Sequence, residues 1–146
     1  NYSIKNNIQT IKKIKEYCKK KKIKFFLSNN IKLAMSLNLD GAYIPSFNRD
    51  LSFCSYNLKN KFSLLGSAHS IKEIRHKELQ KIHTIFLSPI FSNNKKRSNL
   101  GIYRFINLSK LTKKKIVCLG GVKKTNLKII RTLGIYGAAS ISLFQQ

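Results

Sequence analysis

Two glycines and a serine near the carboxyl terminus are the residues whose types and spacing point most directly to chemistry. Ile116-Val117-Cys118-Leu119 is a short apolar run that stops at Gly120-Gly121, and Gly137 to Leu143 is a second small, apolar run containing Ser142. Glycines at the carboxyl end of a parallel strand expose backbone N–H groups with no side chain in the way. With a helix N-terminus beside them, such groups form a site for an anion such as phosphate. The Ser142 hydroxyl would add a donor to the same anion. A glycine pair can also do no more than make a tight strand-to-helix turn, and on the glycines alone the two readings stand level. Cys18, Cys54 and Cys118 lie far apart in the chain without metal-type spacing. They are read as buried or incidental thiols of a reducing cytosol, and neither a metal site nor a disulfide is expected from them.

The glycines and the serine need a strand–helix–strand unit to bring them together, and the pattern supplies one. Thr125 is expected to cap a helix whose apolar face is Leu127, Ile129, Ile130 and Leu133, and Gly134 ends it. Neither flanking strand carries charge, as in a buried parallel sheet. Upstream, Ile8, Ile11, Ile14 and Cys18 form one helical stripe. Strands are expected at Ile23 to Leu27, Ala42 to Ile44, Phe62 to Leu65 and Thr84 to Leu87, the last ending at Ser88-Pro89. Ser28-Asn29-Asn30 caps a helix with Ile31, Leu33, Ala34 and Leu37. Residues 46–61 form a looser connection with one short helix at most. Gly66-Ser67-Ala68-His69 precedes a capping box of Ser70 and Glu73. Ile90 to Gly101 is a polar loop holding Lys95, Lys96 and Arg97, and a helix follows from Phe105 to Leu111. His76 and His83 are read as solvent-side residues.

Strand and helix thus alternate at intervals of roughly 20 residues, the rhythm of parallel α/β architecture. Residues 1–146 are read as one partial β/α-barrel domain. A closed barrel usually needs eight strands and about 250 residues. Either an amino-terminal βαβ portion is missing, or the sheet is open.

Composition narrows the function classes. With 42% hydrophobic residues in 146, the chain can build a core and is not a disordered tail. No run approaches the roughly 18 apolar residues of a membrane span. The opening Asn-Tyr-Ser-Ile lacks an initiator Met and a signal peptide, and no helix is expected after Phe144; both predict a piece of a longer, cytoplasmic protein. The net charge of +24 comes almost entirely from Lys scattered over helix faces. It lacks the aromatic interleaving or recognition-helix pattern of a nucleic-acid module. Specific nucleic-acid binding is therefore not expected, whereas weak attraction to polyanions is.

Taken in order, the segments resemble the thiamine phosphate synthase and thiazole tautomerase family of β/α barrels. Leu27-Ser28-Asn29-Asn30 looks like that family's Ile-Asn-Asp-Arg, and Asp40-Gly41-Ala42-Tyr43-Ile44 like its Asp-Gly-Val-His-Leu. Gly66-Ser67-Ala68-His69-Ser70 is similar to its Gly-x-Ser-x-His. Ser88-Pro89-Ile90-Phe91 resembles Gly-Pro-Val-Phe, and Asn99-Leu100-Gly101 resembles Pro-Leu-Gly. Ile116 to Val122 is similar to Val-Val-Ala-Ile-Gly-Gly-Ile, and Ile141-Ser142 to the closing Val-Ser. The resemblance implies a (β/α)8 barrel, here without its first strand, helix and second strand and without its final helix. It implies an enzyme that joins a pyrimidine diphosphate to a thiazole phosphate and releases diphosphate.

By the same resemblance Lys96 and Ser67 meet the diphosphate substrate, and Ser28 lies at the pyrimidine. Asn93, Asn94 and Lys95 with Gly120, Gly121, Ile141 and Ser142 cradle the thiazole phosphate. The family's synthase holds Mg²⁺ with two Asp, and the aligned positions here are Asn29 and Asn48. Two formal charges are absent from a site for a hard cation, with Asp50 two positions beyond Asn48. Mg²⁺ is thus a family expectation that these residues weaken, and Lys95 is a stand-in for part of its charge. The tautomerase branch works without that metal and relies on a histidine that His69 matches, suited to proton shuttling. A non-catalytic phosphate-binding relative is the third reading. The resemblance leaves the oligomeric state open.

Overall fold

The computed structural model describes residues 8–91, 99–141 and 143. Helix α1 spans Ile8–Lys20 and leads to strand β1, Phe26–Ser28; α2, Ile31–Ser36, is followed by β2, Gly41–Ile44. A 3-10 turn at Ser52–Ser55 precedes β3, Ser63–Ala68, then α3, Ile71–Leu79, and β4, Thr84–Leu87. Helix α4, Gly101–Lys110, and β5, Lys115–Leu119, come next. A 3-10 turn at Lys124–Asn126 then runs into α5, Leu127–Arg131, and β6, Gly137–Ala139, closes the described elements.

All six strands are parallel and lie in the order β1-β2-β3-β4-β5-β6. Each strand pairs with the one before it, which is how a β/α barrel winds; a doubly wound sheet would reverse its order at a switch point. Among the described residues β1 and β6 do not pair with each other, so the sheet is an open arc of a barrel.

Successive strand residues point to opposite faces, and the register assigns the faces. Ile44, Gly66, Ile85 and Ile116 share one layer, and Ala68, Leu87 and Cys118 the next. This is the face under the helices, and its side chains are buried. Ile74, Ile82 and Phe105 cover it, each with no exposed surface. The opposite face carries Ser28, Tyr43, Leu65, Ser67 and Phe86. Tyr43 and Phe86 meet edge to face there, 5.9 Å between ring centres.

Several boundaries differ from the sequence reading: β1 covers Phe26–Ser28 and not Ile23 to Leu27, and α4 begins at Gly101 and not Phe105. Strand β3 does not stop at Leu65 but continues through Gly66 and Ser67, because the ladder to β4 persists as far as Ala68 and Leu87. Thr125 is not a cap: it lies inside the 3-10 turn, and the Asn126 carboxamide accepts from the Lys123 amide instead. Strand β6 covers Ala138 and its two neighbours only. The stripe on α1 is also thinner than its spacing implied, since Ile11 alone is buried.

Candidate functional site

Because the strands are parallel, their carboxyl ends share one edge of the sheet, where barrels of this kind carry their sites. The tip of β1 is Ser28, exposed and on the open face. Asn29 follows with φ of 57°, a left-handed conformation that Asn tolerates better than most residues. Its amide donates to the Tyr43 carbonyl at 2.8 Å, which ties the turn to β2. Asn30 then caps α2, its carboxamide oxygen accepting from the Leu33 amide at 2.9 Å.

The loop after β2 brings Asn48 against Asn29, and Asn48 Nδ2 donates to Asn29 Oδ1 at 2.7 Å. The neighbours determine which way the Asn48 carboxamide points. Its oxygen accepts from the Asp50 amide at 2.8 Å and from Gln80 Nε2 at 3.3 Å, so the nitrogen must face Asn29. Asp50 spends both carboxylate oxygens on Ser52, one on its amide and one on its hydroxyl, at 2.8 and 2.9 Å. Those bonds, with the Lys32 charge nearby, hold its carboxyl below the usual range. Asn29, Asn48, Asp50, Lys32 and Tyr56 line one cavity, with the Lys32 ammonium 5.7 Å from the Tyr56 ring centre.

This donor set does not suit Mg²⁺, which wants carboxylates around an octahedral shell. Asn29 and Asn48 are neutral amides already bonded to each other, and the one carboxylate beside them is committed to Ser52. Among the described residues no group of three or more His, Cys, Asp or Glu could hold a metal ion.

Farther along the edge, Ser67 is buried at the tip of β3 on the same face as Ser28. His69 stands just beyond, exposed, with Nδ1 2.7 Å from the Ser88 carbonyl oxygen and 3.2 Å from the Ser88 hydroxyl. A carbonyl oxygen can only accept, so Nδ1 is the donor in that bond. The His69 amide donates to Glu73 at 2.6 Å, while the Ser70 hydroxyl accepts from the Glu73 amide at 3.3 Å. Of the capping box expected at Ser70 the Ser70 half is thus present, whereas Glu73 accepts from the His69 amide and not from that of Ser70.

Gly120 and Gly121 occupy the tip of β5 with φ of 92° and 67°. A Cβ on Gly120 would lie 2.6 Å from Pro89 Cβ, and one on Gly121 2.7 Å from Phe91 Cβ. Their own backbone is partly engaged: the Gly120 carbonyl accepts from the Phe91 amide and the Gly121 carbonyl from Asn126 Nδ2. The pair makes a tight strand-to-helix turn packed against residues 89–91. At the neighbouring tip of β6, the Ser140 hydroxyl donates to the Val122 carbonyl at 2.8 Å, joining it to the glycine turn, and Ile141 is exposed. Lys96, Asn93, Asn94, Lys95 and Ser142 lie outside the described residues.

The sequence reading missed the side chains beneath this edge. Lys77 and Gln80 are fully buried and bond to the loop carrying Asn48. The available signal was helical spacing: Lys77 follows Ile74 by three on the covered face of α3, a lysine where an apolar residue belongs. His83 is exposed, as expected, whereas His76 is half-buried rather than solvent-facing. His76 Nε2 is buried with no partner among the described residues, and His83 Nδ1 accepts from the Leu64 amide at 2.9 Å.

With that geometry in hand, the chain can be set beside known proteins. A sequence family described as thiamine monophosphate synthase matches residues 2–144. A putative thiamine-phosphate synthase 2 of Aquifex aeolicus is 26% identical over 135 residues, covering 91% of this chain and 72% of that protein. A thiamine-phosphate synthase of Pelagibacter ubique is 31% identical over 121 residues, 80% of this chain and 58% of that one. The solved thiamine phosphate pyrophosphorylase of Pyrococcus furiosus superposes with a TM-score of 0.75 over 92% of this chain and 65% of its own, at 17% identity, a likeness of fold.

Proposed function

The chain belongs to the thiamine monophosphate synthase family, and on that premise we propose that it carries the substrate-binding arc of a thiamine-phosphate synthase, a transferase of thiamine biosynthesis. It would couple a pyrimidine diphosphate to a thiazole phosphate and release diphosphate. The observation that carries this reading is the family match over residues 2–144, together with the gathering of Ser28, Asn29, Ser67, His69 and Gly121 at one end of one parallel sheet. The chain spans 72% and 58% of the two curated relatives, so the activity proposed is that of the whole protein to which these residues belong.

In this reading the protein's work is positioning and electrostatics, which suit transfer with a charged leaving group. Ser28 and Ser67, facing the same side, would hold the pyrimidine substrate, and Lys96 would meet the diphosphate. The backbone of Gly120 and Gly121, with Ile141, Ser142 and residues 93–95, would hold the thiazole phosphate. No step is assigned to Mg²⁺, because Asn29, Asn48 and Asp50 do not fit it. Lys32, on the wall of the Asn29–Asn48 cavity, and Lys95 are the cations proposed to answer the diphosphate charge. A cytoplasmic enzyme acting on small phosphorylated molecules follows from the same premise; no helix among the described residues is long and apolar enough to cross a membrane.

The test is coupling by the full-length protein, with and without EDTA. Activity that persists in EDTA supports the reading, and absence of coupling under either condition overturns it. One observation favours a second reading, metal-independent thiazole tautomerase: His69 stands exposed at the carboxyl edge of the sheet with its ring anchored through Nδ1 on the Ser88 carbonyl. Proton exchange on the thiazole ring that disappears in His69→Ala, without any coupling, would select it.

A further inference from the structure

Lys77 is the one charged side chain in the buried class among the described residues, with 0% exposure, and Gln80, one turn on, is equally buried. The stem of Lys77 lies over Gly66 on the helix-covered face of the sheet: a Cβ there would lie 3.2 Å from Lys77 Cδ and 3.1 Å from the Ile44 carbonyl oxygen. A glycine inside β3 therefore leaves room for the lysine to pass over that strand to the loop that follows β2. There Lys77 Nζ donates to the Pro45 carbonyl at 2.8 Å, the Asn48 carbonyl at 3.2 Å and Gln80 Oε1 at 2.7 Å, which uses all three protons. Gln80 Nε2 in turn donates to the Asn48 carbonyl at 3.1 Å, Asn48 Oδ1 at 3.3 Å and the Asp50 carbonyl at 2.8 Å.

Burying an ammonium is costly, and burial, with the Arg49 charge acting the same way against Glu73, pushes Lys77 down to about 8. A Met of similar length would fill the space without that cost. What the lysine adds is donors for carbonyls that would otherwise face the interior unpaired. Every one of these bonds outside α3 ends on residues 45–50, the loop that delivers Asn48 to Asn29.

We propose that Lys77 and Gln80 are positioning residues for the site: from beneath the sheet they hold residues 45–50 against the tip of β1, fixing the Asn29–Asn48 pair without a divalent cation. The inference rests on reading that pair's cavity as the diphosphate end of the site. It deepens that reading by naming what takes over the metal's structural role.

The test compares Lys77→Met and Gln80→Met in the full-length protein with Ile74→Val, which removes packing from the same helix face. Amide hydrogen exchange at Asn48, Asp50 and Ser52 is expected to accelerate in both loop-side variants and to stay at the wild-type rate in Ile74→Val. The Kd for inorganic pyrophosphate is expected to rise roughly tenfold to a hundredfold in both, as a misplacement of about 1 Å would produce. Ile74→Val should shift only the melting temperature, and EDTA should change neither readout in the wild type. Wild-type exchange rates in Lys77→Met and Gln80→Met would overturn the proposal, as would equal loosening by Ile74→Val. Loosening of the wild-type loop by EDTA would overturn it too, since a cation would then be doing the holding. If Lys77→Met does not fold, Gln80→Met decides alone. Should the wild type bind no pyrophosphate, the functional reading of the cavity fails, while the exchange rates still judge the positioning role.

Discussion

At the residue scale, the glycine turn shows two separate structural demands met at one place. Gly120 and Gly121 combine left-handed backbone with contacts that leave no room for a methyl group. Gly134, at φ of 63°, has the backbone without the crowding, since nothing lies within 4 Å of its would-be Cβ. Gly134→Ala should therefore cost roughly 1–2 kcal/mol, the strain of left-handed backbone alone. Gly120→Ala and Gly121→Ala should cost about 2–4 kcal/mol, with the clash added. Urea unfolding of the three variants measures the difference. His83 gives a pH prediction. Burial, reinforced by the Lys114 charge, lowers its pKa, and Nδ1 must stay bare to accept from Leu64. The unfolded chain therefore holds more protons around and below the ordinary value of 6.5. The contribution of His83 to stability is complete above that value and is lost as pH falls below it. His83→Gln offers an acceptor that does not titrate, so denaturation midpoints across that range should fall less steeply with acid than in the wild type. The glycine turn was legible because a glycine pair after an apolar run is a local signal. Lys77 was not, because charge in a sequence reads as solvent exposure until a passage such as the one at Gly66 is seen.

At the element scale, the readable boundaries were those with a chemical stop. Strand β4 was placed to the residue because Ser88-Pro89 ends it, and α3 because Ser70 and Glu73 begin it. Strand β3 was cut short because Gly66-Ser67 reads as a turn. The glycine there serves the close approach of Lys77, a tertiary cause that no local pattern carries. The cap on α3 should be worth about 1 kcal/mol. Ser70→Ala is expected to lower stability by that amount, and Ser70→Asp to restore it, both read by chemical denaturation. Helix α1 is the opposite case. Its apolar spacing was clear, yet Ile8 and Ile14 remain 46% and 42% exposed, because amphipathic periodicity says which face can be covered and not how far the sheet reaches to cover it.

At the scale of the whole molecule, the alternation of strand and helix specified parallel α/β class, and the resemblance specified the family and, with it, the sequential winding of a barrel. Neither could show that Asn29 and Asn48 meet directly, since that contact joins two loops 19 residues apart through side-chain geometry. The charge of +24 should reveal itself as weak, sequence-indifferent retention on an immobilised polyanion, lost steeply as salt rises. Sequence-selective binding that survives high salt would contradict that expectation. The strand order has one more consequence. Each strand takes its first hydrogen-bonding partner from the segment made just before it, as Phe26 with Gly41 and Ser63 with Gly41 illustrate. During translation, a ladder of this kind can lengthen one rung at a time as the polypeptide leaves the ribosome, with no strand obliged to wait for a partner encoded far downstream.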